Sequence, residues 1–163
     1  MQEQILIAGG GIGGLAAALA ASLAGAEVRL FERANHFSEV GAGVQLGPNV
    51  VRRLQAWGLQ KSLQGVAAFP QSLVSRSALS GDELARLPLG TAAVERYGAA
   101  YATIHRGDLH QLLRTAVQQH GSVHLNLDNP VDYHEDNGAV VTITTKHGKK
   151  IEGDALIGAD GVW

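Results

Sequence analysis

Three glycines near the start of this sequence, Gly9, Gly11 and Gly14, are spaced as Gly-x-Gly-x-x-Gly, a pattern typical of a ligand-binding loop. Glycine at these positions permits a tight turn, close approach of a ligand to the backbone, and close packing of the helix that follows. The N–H groups at the start of such a helix attract phosphate. The spacing therefore predicts a loop that binds the pyrophosphate of a dinucleotide.

The residues on either side of the glycines agree with this interpretation. The apolar run 5–8 predicts a strand buried on both faces, and the alanine-rich run 13–24 predicts a helix. The next predicted strand ends at Glu32, close to the spacing of about 20 residues that places an acid at the ribose. A glycine-rich turn followed by a surface glutamate is the alternative, and the motif alone does not separate FAD from NAD.

Composition excludes several other classes of protein. With 45% hydrophobic and 17% charged residues, the 163-residue chain suits one packed domain or part of one. A net charge of -2 without a basic stripe excludes nucleic acid as the expected partner. The absence of cysteine, and seven histidines without metal-ligand spacing, predict no metal site. We expect no membrane span, no signal peptide and a cytoplasmic location.

Beyond Glu32 the patterns predict alternating helices and strands of an α/β protein. We expect the glycine loop, Glu32 and Asp160-Gly161 to converge, because ligands bind outside the carboxyl ends of parallel strands. The predicted elements are a loop over 33–45, helices over 50–58, 60–64 and from 106, a hairpin over 72–87, strands over 101–104 and 123–127, a hairpin over 131–145, a strand over 149–152, and a buried parallel strand over 154–159.

Four blocks read together resemble the single-component FAD-dependent aromatic hydroxylases, the class A flavoprotein monooxygenases, and in particular their salicylate hydroxylase branch. The first block is the glycine loop with Glu32. The others are E-V-G-A-G-V-Q-L-G-P-N over 39–49, Y-A-T-I-H-R-G-D-L-H over 101–110, and the closing D-G motif within 153–161. Together they cover essentially the whole chain.

The resemblance implies FAD as the bound cofactor and NAD(P)H as a co-substrate. It implies hydroxylation of a small aromatic acid with dioxygen through a flavin C4a-hydroperoxide, in which the protein orients the ring and excludes water. The residues that it implies around the cofactor are Gly9, Gly11, Ile12, Gly13, Gly14 and Leu15 at the pyrophosphate, Glu32 and Arg33 at the adenosine ribose, Gly43, Val44 and Gln45 at the flavin ring, Arg106 at its helix start, Val131 over the adenine, and Asp160 and Gly161 near the pyrophosphate and NAD(P)H.

The resemblance also implies the fold, a Rossmann-like FAD-binding fold of the glutathione-reductase type. Residues 1–70 and 105–163 would form the FAD-binding part, and 71–104 would be strands of a second, substrate-domain sheet. Because the family continues past the D-G motif with a later G-D motif, we expect an N-terminal fragment that is inactive alone. Its expected partner is the remainder of the same enzyme or a second copy in a homodimer.

The sequence leaves alternatives open for the substrate and for the class of protein. Gln45, a candidate residue near the substrate, stands where hydroxynicotinate hydroxylases of the family carry histidine, which favours a benzoate-type acid. The alternatives are another FAD oxidoreductase, of the amine oxidase or isoprenoid reductase type, and a nucleotide-binding module without turnover.

Overall fold

A computed structural model of the chain describes residues 2–37 and 41–161. In chain order its elements are β1 (Gln4–Ala8), α1 (Ile12–Leu23), β2 (Glu27–Phe31), β3 (Gly43–Leu46), α2 (Pro48–Ala56), α3 (Gln60–Val66), β4 (Ser72–Arg76), β5 (Glu83–Pro88), α4 (Gly90–Tyr97), β6 (Ala102–His105), α5 (Arg106–Gln118), β7 (Val123–Asn126), β8 (Val131–Asp136), β9 (Val141–Thr145), β10 (Lys150–Gly153) and β11 (Ala155–Gly158).

The chain divides into two compact units. The first unit joins Met1–Glu39 to His110–Trp163, and the second is Val40–Leu109. The first unit therefore holds the glycine loop, Glu32 and the D-G motif. The assignment of residues 71–104 to a separate substrate domain stays a prediction.

The first unit is built on a four-stranded parallel sheet in the order β11-β1-β2-β7. The strand, helix and strand predicted around the glycines are confirmed as β1, α1 and β2. The sheet interior is apolar on both faces, since Leu6, Ile7, Val28 and Leu30 are completely buried. Small residues on α1 let that helix pack closely on the sheet, with Ala18 buried between Leu15 and Leu19.

A second, antiparallel sheet in the order β10-β9-β8 completes the first unit. Its β8–β9 hairpin turns at Asn137-Gly138 as the sequence predicts, with Gly138 in the left-handed region at φ +83°. Ile143 and Ile151 of this sheet form one buried cluster with Leu6 and Phe31 of the parallel sheet. The two sheets therefore share a core.

Strand β11 departs from the sequence prediction in its burial. The run over 154–159 was expected to be a buried strand, and it does pair in parallel with β1. However, β11 is the outermost strand of its sheet, and the Ile157 side chain is 37% exposed. An apolar strand in an edge position covers only part of its side chains, which hydrophobicity alone does not reveal.

The second unit consists of two strand pairs, β3–β6 and β4–β5, and three short helices, α2, α3 and α4. The predicted β4–β5 hairpin is confirmed. Within β5, the Glu83 carboxylate raises the pKa of the Arg86 guanidinium above its ordinary value. The expectation of a loop over 33–45 is wrong at its end, because Gly43–Leu46 pairs with β6. Helix α4 was not predicted. No helix in the described ranges is both long and apolar enough to cross a membrane.

Candidate dinucleotide-binding site

The glycine loop leaves β1 through a turn that only glycine accepts easily. Gly9 has φ +106°, and its N–H donates to the carbonyl of Phe31 at 2.8 Å. A Cβ on Gly9 would lie 2.3 Å from the Ala159 oxygen at the end of β11. Gly9 therefore brings the backbone of the loop against the neighbouring strand end.

Gly14 has the packing role that the motif assigns to it. A Cβ there would stand 1.9 Å from the Gly9 oxygen, a separation that no side chain can adopt. Since the obstacle is backbone rather than a flexible side chain, Gly14 is required for α1 to begin directly after the loop.

Gly11 and Gly13 have a different environment from Gly9 and Gly14. A Cβ on either would meet nothing within 4 Å, so both face open space. Gly11 is the N-cap of α1, and its oxygen accepts the N–H of Leu15 at 2.9 Å. An α-helix leaves its first N–H groups without partners inside the helix, and α1 has no acidic residue in its first turn. The open side of the loop is thus a cradle of backbone donors that fits a pyrophosphate.

The Glu32 side chain lies against the loop rather than extending into solvent. Its Oε2 accepts the N–H of Gly10 at 2.6 Å, and its Oε1 accepts the N–H of Ala34 at 2.9 Å. A carboxylate offers about four lone-pair sites, so two bonds to the backbone leave capacity for two ribose hydroxyls. Glu32 therefore fits the ribose role while also bracing the loop.

The structure adds a residue that sequence reasoning missed. His110, only 4% exposed, bonds through Nε2 to the Gly10 oxygen at 2.9 Å, so this nitrogen carries the proton and donates. The ring centroids of His110 and Phe37 are 5.2 Å apart. The Arg114 guanidinium carbon lies over the Phe37 ring, 5.7 Å from its centroid. The signal available in the sequence was a histidine among the apolar positions of a helix that follows the Arg106-Gly107-Asp108 segment.

The D-G motif lies beside the glycine loop. The Ala159 N–H donates to the Ala8 oxygen at 2.7 Å, and a Cβ on Gly9 would lie 2.7 Å from the Asp160 nitrogen. Asp160 and Gly161 are exposed, and Gly161 has φ +95°. The first unit therefore brings together three of the predicted features, the glycine loop, Glu32 and the D-G motif, although their cofactor contacts stay predictions.

Four other predicted residues of the first unit have mixed placements. Ile12 is half-buried at the start of α1, and Arg33 is exposed after Glu32. Leu15 is completely buried, and its N–H donates to the Gly11 oxygen; its predicted place at the pyrophosphate stays a prediction. Val131 packs partly against the shared core of the two sheets. Its predicted place over the adenine stays a prediction.

In the second unit, Arg106 and the segment over 41–45 are neighbours. The Arg106 N–H donates to the Ala42 oxygen at 3.2 Å. A Cβ on Gly41 would lie 2.8 Å from Arg106 Cδ and 2.9 Å from its Cβ, so glycine is what lets the arginine stem lie there. Gly43 and Gln45 are exposed on β3, opposite His105 and Thr103 of β6, with Val44 half-buried between them.

The fold and loop define a dinucleotide-binding protein of the βαβ class, and comparison with known proteins makes this more specific. A family model described as "FAD binding domain" matches residues 2–163. The chain belongs to this FAD-binding family, and FAD is its cofactor. The glycine cradle described above fits that assignment.

The chain is 42% identical over 159 residues to 3-hydroxybenzoate 6-hydroxylase of Polaromonas naphthalenivorans, covering 97% of this chain and 40% of that protein. It is also 42% identical over 162 residues to 6-hydroxynicotinate 3-monooxygenase of Bordetella bronchiseptica, covering 99% of this chain and 41% of that protein. The chain thus spans about 40% of the length of the curated relatives it matches.

Solved structures give the same result for the fold. A variant of 2-methyl-3-hydroxypyridine-5-carboxylic acid oxygenase superposes with a TM-score of 0.85 at 25% identity, over 99% of this chain and 40% of that chain. The flavin-dependent monooxygenase PieE, in complex with FAD and substrate, gives 0.80 at 25% identity, over 99% and 31%. The predicted fold class and the resemblance to FAD-dependent aromatic hydroxylases are confirmed.

Proposed function

We propose that the protein carrying this sequence is a FAD-dependent monooxygenase that hydroxylates a small aromatic acid with dioxygen and NAD(P)H. The observation that carries the proposal is the glycine cradle at the start of α1, open at Gly11 and Gly13, in a chain that matches aromatic hydroxylases along nearly all its length. Because the chain spans about 40% of those relatives, the activity of the whole protein is an inference from them.

In this proposal the first unit holds the adenosine and pyrophosphate part of FAD. The first N–H groups of α1, at Ile12, Gly13 and Gly14, donate to the phosphates, and the helix dipole adds favourable potential there. The remaining lone pairs of Glu32 accept ribose hydroxyls, with Arg33 beside them. Asp160 and Gly161, next to Gly9, border the pyrophosphate on its other side.

A further set of residues is proposed for the flavin. Arg106, whose stem lies against Gly41, reaches FAD from the start of α5. Gly43, Val44 and Gln45 line the flavin ring through the backbone of β3, and the Gln45 amide, which both donates and accepts, contacts flavin or substrate. Bound FAD supplies the electron transfer and oxygen chemistry, while these residues bind and orient it.

For the substrate we propose an aromatic acid of the hydroxybenzoate or salicylate type. Gln45 supports this choice, since a glutamine stands where hydroxynicotinate hydroxylases are expected to carry histidine. The two relatives named above act, by their names, on a hydroxybenzoate and on a hydroxynicotinate at the same 42% identity, so Gln45 is what favours the first. A cytoplasmic location and a homodimer stay predictions.

The test begins with heat release of the nucleotide from the purified protein and its visible absorbance spectrum. We expect flavin bands and, on adding 3-hydroxybenzoate or salicylate, faster NAD(P)H oxidation with a hydroxylated product. Flavin without turnover on any aromatic acid supports a nucleotide-binding module instead. Turnover of an amine or an isoprenoid chain supports the other flavoenzyme classes, and a spectrum without flavin overturns the proposal.

A further inference from the structure

We propose that His110 is a positioning residue for the FAD pyrophosphate. It holds the Gly10 carbonyl so that the N–H of Gly11 points into the cradle. This inference rests on the proposed function, because it assumes that the glycine loop binds FAD. His110 lies 100 positions from Gly10 in the sequence, yet the two are joined by a 2.9 Å hydrogen bond inside the first unit.

One peptide plane, between Gly10 and Gly11, connects His110 to the cradle. The described peptide bonds are trans, and in a trans peptide the carbonyl of one residue and the N–H of the next point in opposite directions. Nε2 of His110 fixes the Gly10 oxygen on the buried side. The Gly11 N–H is therefore directed to the opposite side. A Cβ on Gly11 would meet nothing within 4 Å, so no side chain of the protein fills the space beside this residue.

Glu32 fixes the preceding peptide plane in the same way. Its Oε2 accepts the Gly10 N–H at 2.6 Å, so the planes on both sides of Gly10 are each held by one side chain. Glycine has no Cβ to restrict its backbone, and a loop of consecutive glycines would otherwise sample many orientations. These two bonds pre-organise the loop, and a ligand that binds to it has less conformational entropy to remove.

The surroundings of His110 keep this bond in place. The side chain is 4% exposed, and its ring packs against Phe37 with the ring planes inclined at 57°. Phe37 also limits Gly10, where a Cβ would lie 2.7 Å from the Phe37 ring. A hydrogen bond shielded from water in this way holds its geometry better than one at the surface.

The test compares His110→Gln, His110→Asn and His110→Leu in the protein that carries this sequence. Glutamine can place an amide N–H close to the position of Nε2, asparagine is too short, and leucine has no donor. His134→Gln, which makes the same chemical change at an exposed position of β8, is the matched control. Each apoprotein is titrated with FAD and, separately, with ADP, and its thermal unfolding is recorded.

We expect the asparagine and leucine variants to bind FAD about tenfold more weakly, as loss of one buried hydrogen bond implies. ADP affinity should fall by a similar factor, because ADP carries the pyrophosphate without the flavin. The glutamine variant should recover most of the affinity, and the control should match the wild type. If the His110→Leu protein does not fold, the difference in FAD affinity between His110→Gln and His110→Asn decides.

Two results would overturn the role of His110 while the proposed function stands. One is wild-type FAD affinity in the folded asparagine and leucine variants. The other is a loss of FAD affinity with unchanged ADP affinity, which would place the effect away from the pyrophosphate. A wild-type protein that binds neither FAD nor ADP would instead overturn the proposed function itself.

Discussion

The Glu32 carboxylate accepts the Gly10 N–H at 2.6 Å, so the acid at the end of β2 is bonded directly to the glycine loop that follows β1. The two strands are adjacent and parallel, with Ala8 paired to Phe31, which brings the loop and the acid to the same edge of the sheet. A residue expected to bind ribose is thus also part of the framework that shapes the phosphate site. Its substitution should affect both.

We expect Glu32→Ala to weaken FAD binding by about 1–3 kcal/mol, the range for a lost hydrogen bond to a charged group together with an unpaired loop N–H. The apoprotein should also lose some stability, because two backbone N–H groups lose their acceptor. FAD titration and thermal unfolding measure the two effects. Glu135→Ala, at an exposed position of β8, is the control. Wild-type FAD affinity in the Glu32→Ala protein would remove Glu32 from the site.

Gly11→Ala and Gly14→Ala should separate binding from folding. The Gly11 methyl group meets nothing in the protein, and its backbone at φ −71° and ψ −175° suits alanine, so the apoprotein should keep its stability. It should bind FAD at least about tenfold more weakly, since the methyl group occupies the cradle. Gly14→Ala should instead destabilise the fold by about 1–3 kcal/mol or more, by overpacking against Gly9.

The Gly11→Ala and Gly14→Ala variants also offer a result that would contradict the binding role of Gly11. Chemical denaturation measures stability, and titration of the folded protein measures affinity. A Gly11→Ala protein that retains wild-type FAD affinity would show that the pyrophosphate does not approach this part of the backbone.

Gly41 and Arg106 should be energetically coupled. A methyl group on Gly41 displaces the arginine stem, so Gly41→Ala and Arg106→Ala should impair FAD binding in the same way, and the double variant should be little worse than either alone. The coupling free energy in a double-mutant cycle of FAD affinities should be about 0.5–3 kcal/mol. Additive effects would mean that Gly41 does not act through the arginine.

Gln45→Ala should change turnover more than folding. The side chain is exposed on β3, so its loss should leave thermal unfolding within about 0.5 kcal/mol of wild type. If the amide contacts flavin or substrate, the Michaelis constant for the aromatic acid and the fraction of NAD(P)H oxidised without product should both rise. Gln118→Ala, at the exposed end of α5, is the control. Unchanged kinetics in the Gln45→Ala protein would mean that the Gln45 amide contacts neither flavin nor substrate.

The sequence predicts those parts of the fold in which neighbouring residues determine the structure. Strand β1, helix α1 and strand β2 follow from local hydrophobic pattern and from the glycines, and the β8–β9 hairpin follows from Asn137-Gly138. Helix α4 escaped prediction because it has eight residues, begins at Gly90 and has no side-chain cap. Strand β3 escaped because its four residues are stabilised by β6, far along the chain.

The same limit applies to the site. The spacing of the glycines predicts the loop, and the end of β2 predicts Glu32. However, the sequence does not show that Glu32 would bond to Gly10, or that His110 would bond to the same residue. Both bonds join residues that are distant in the chain, and a buried histidine on a helix resembles an ordinary core residue. Part of the 39–49 block, at 39 and 40, lies outside the described residues.

The central position of β1 has a consequence for the order of folding. Its neighbour β2 follows after one helix, whereas its other neighbour, β11, is paired through residues such as Ile5 and Ala155 at opposite ends of the chain. Contacts between distant residues form slowly, because closing a long loop costs entropy before the pairing contributes. During synthesis β1, α1 and β2 emerge before β11, the second strand that pairs with β1. The glycine loop therefore gains its contacts with His110 of α5 and with Ala159, which follows β11, only after those residues have been synthesised.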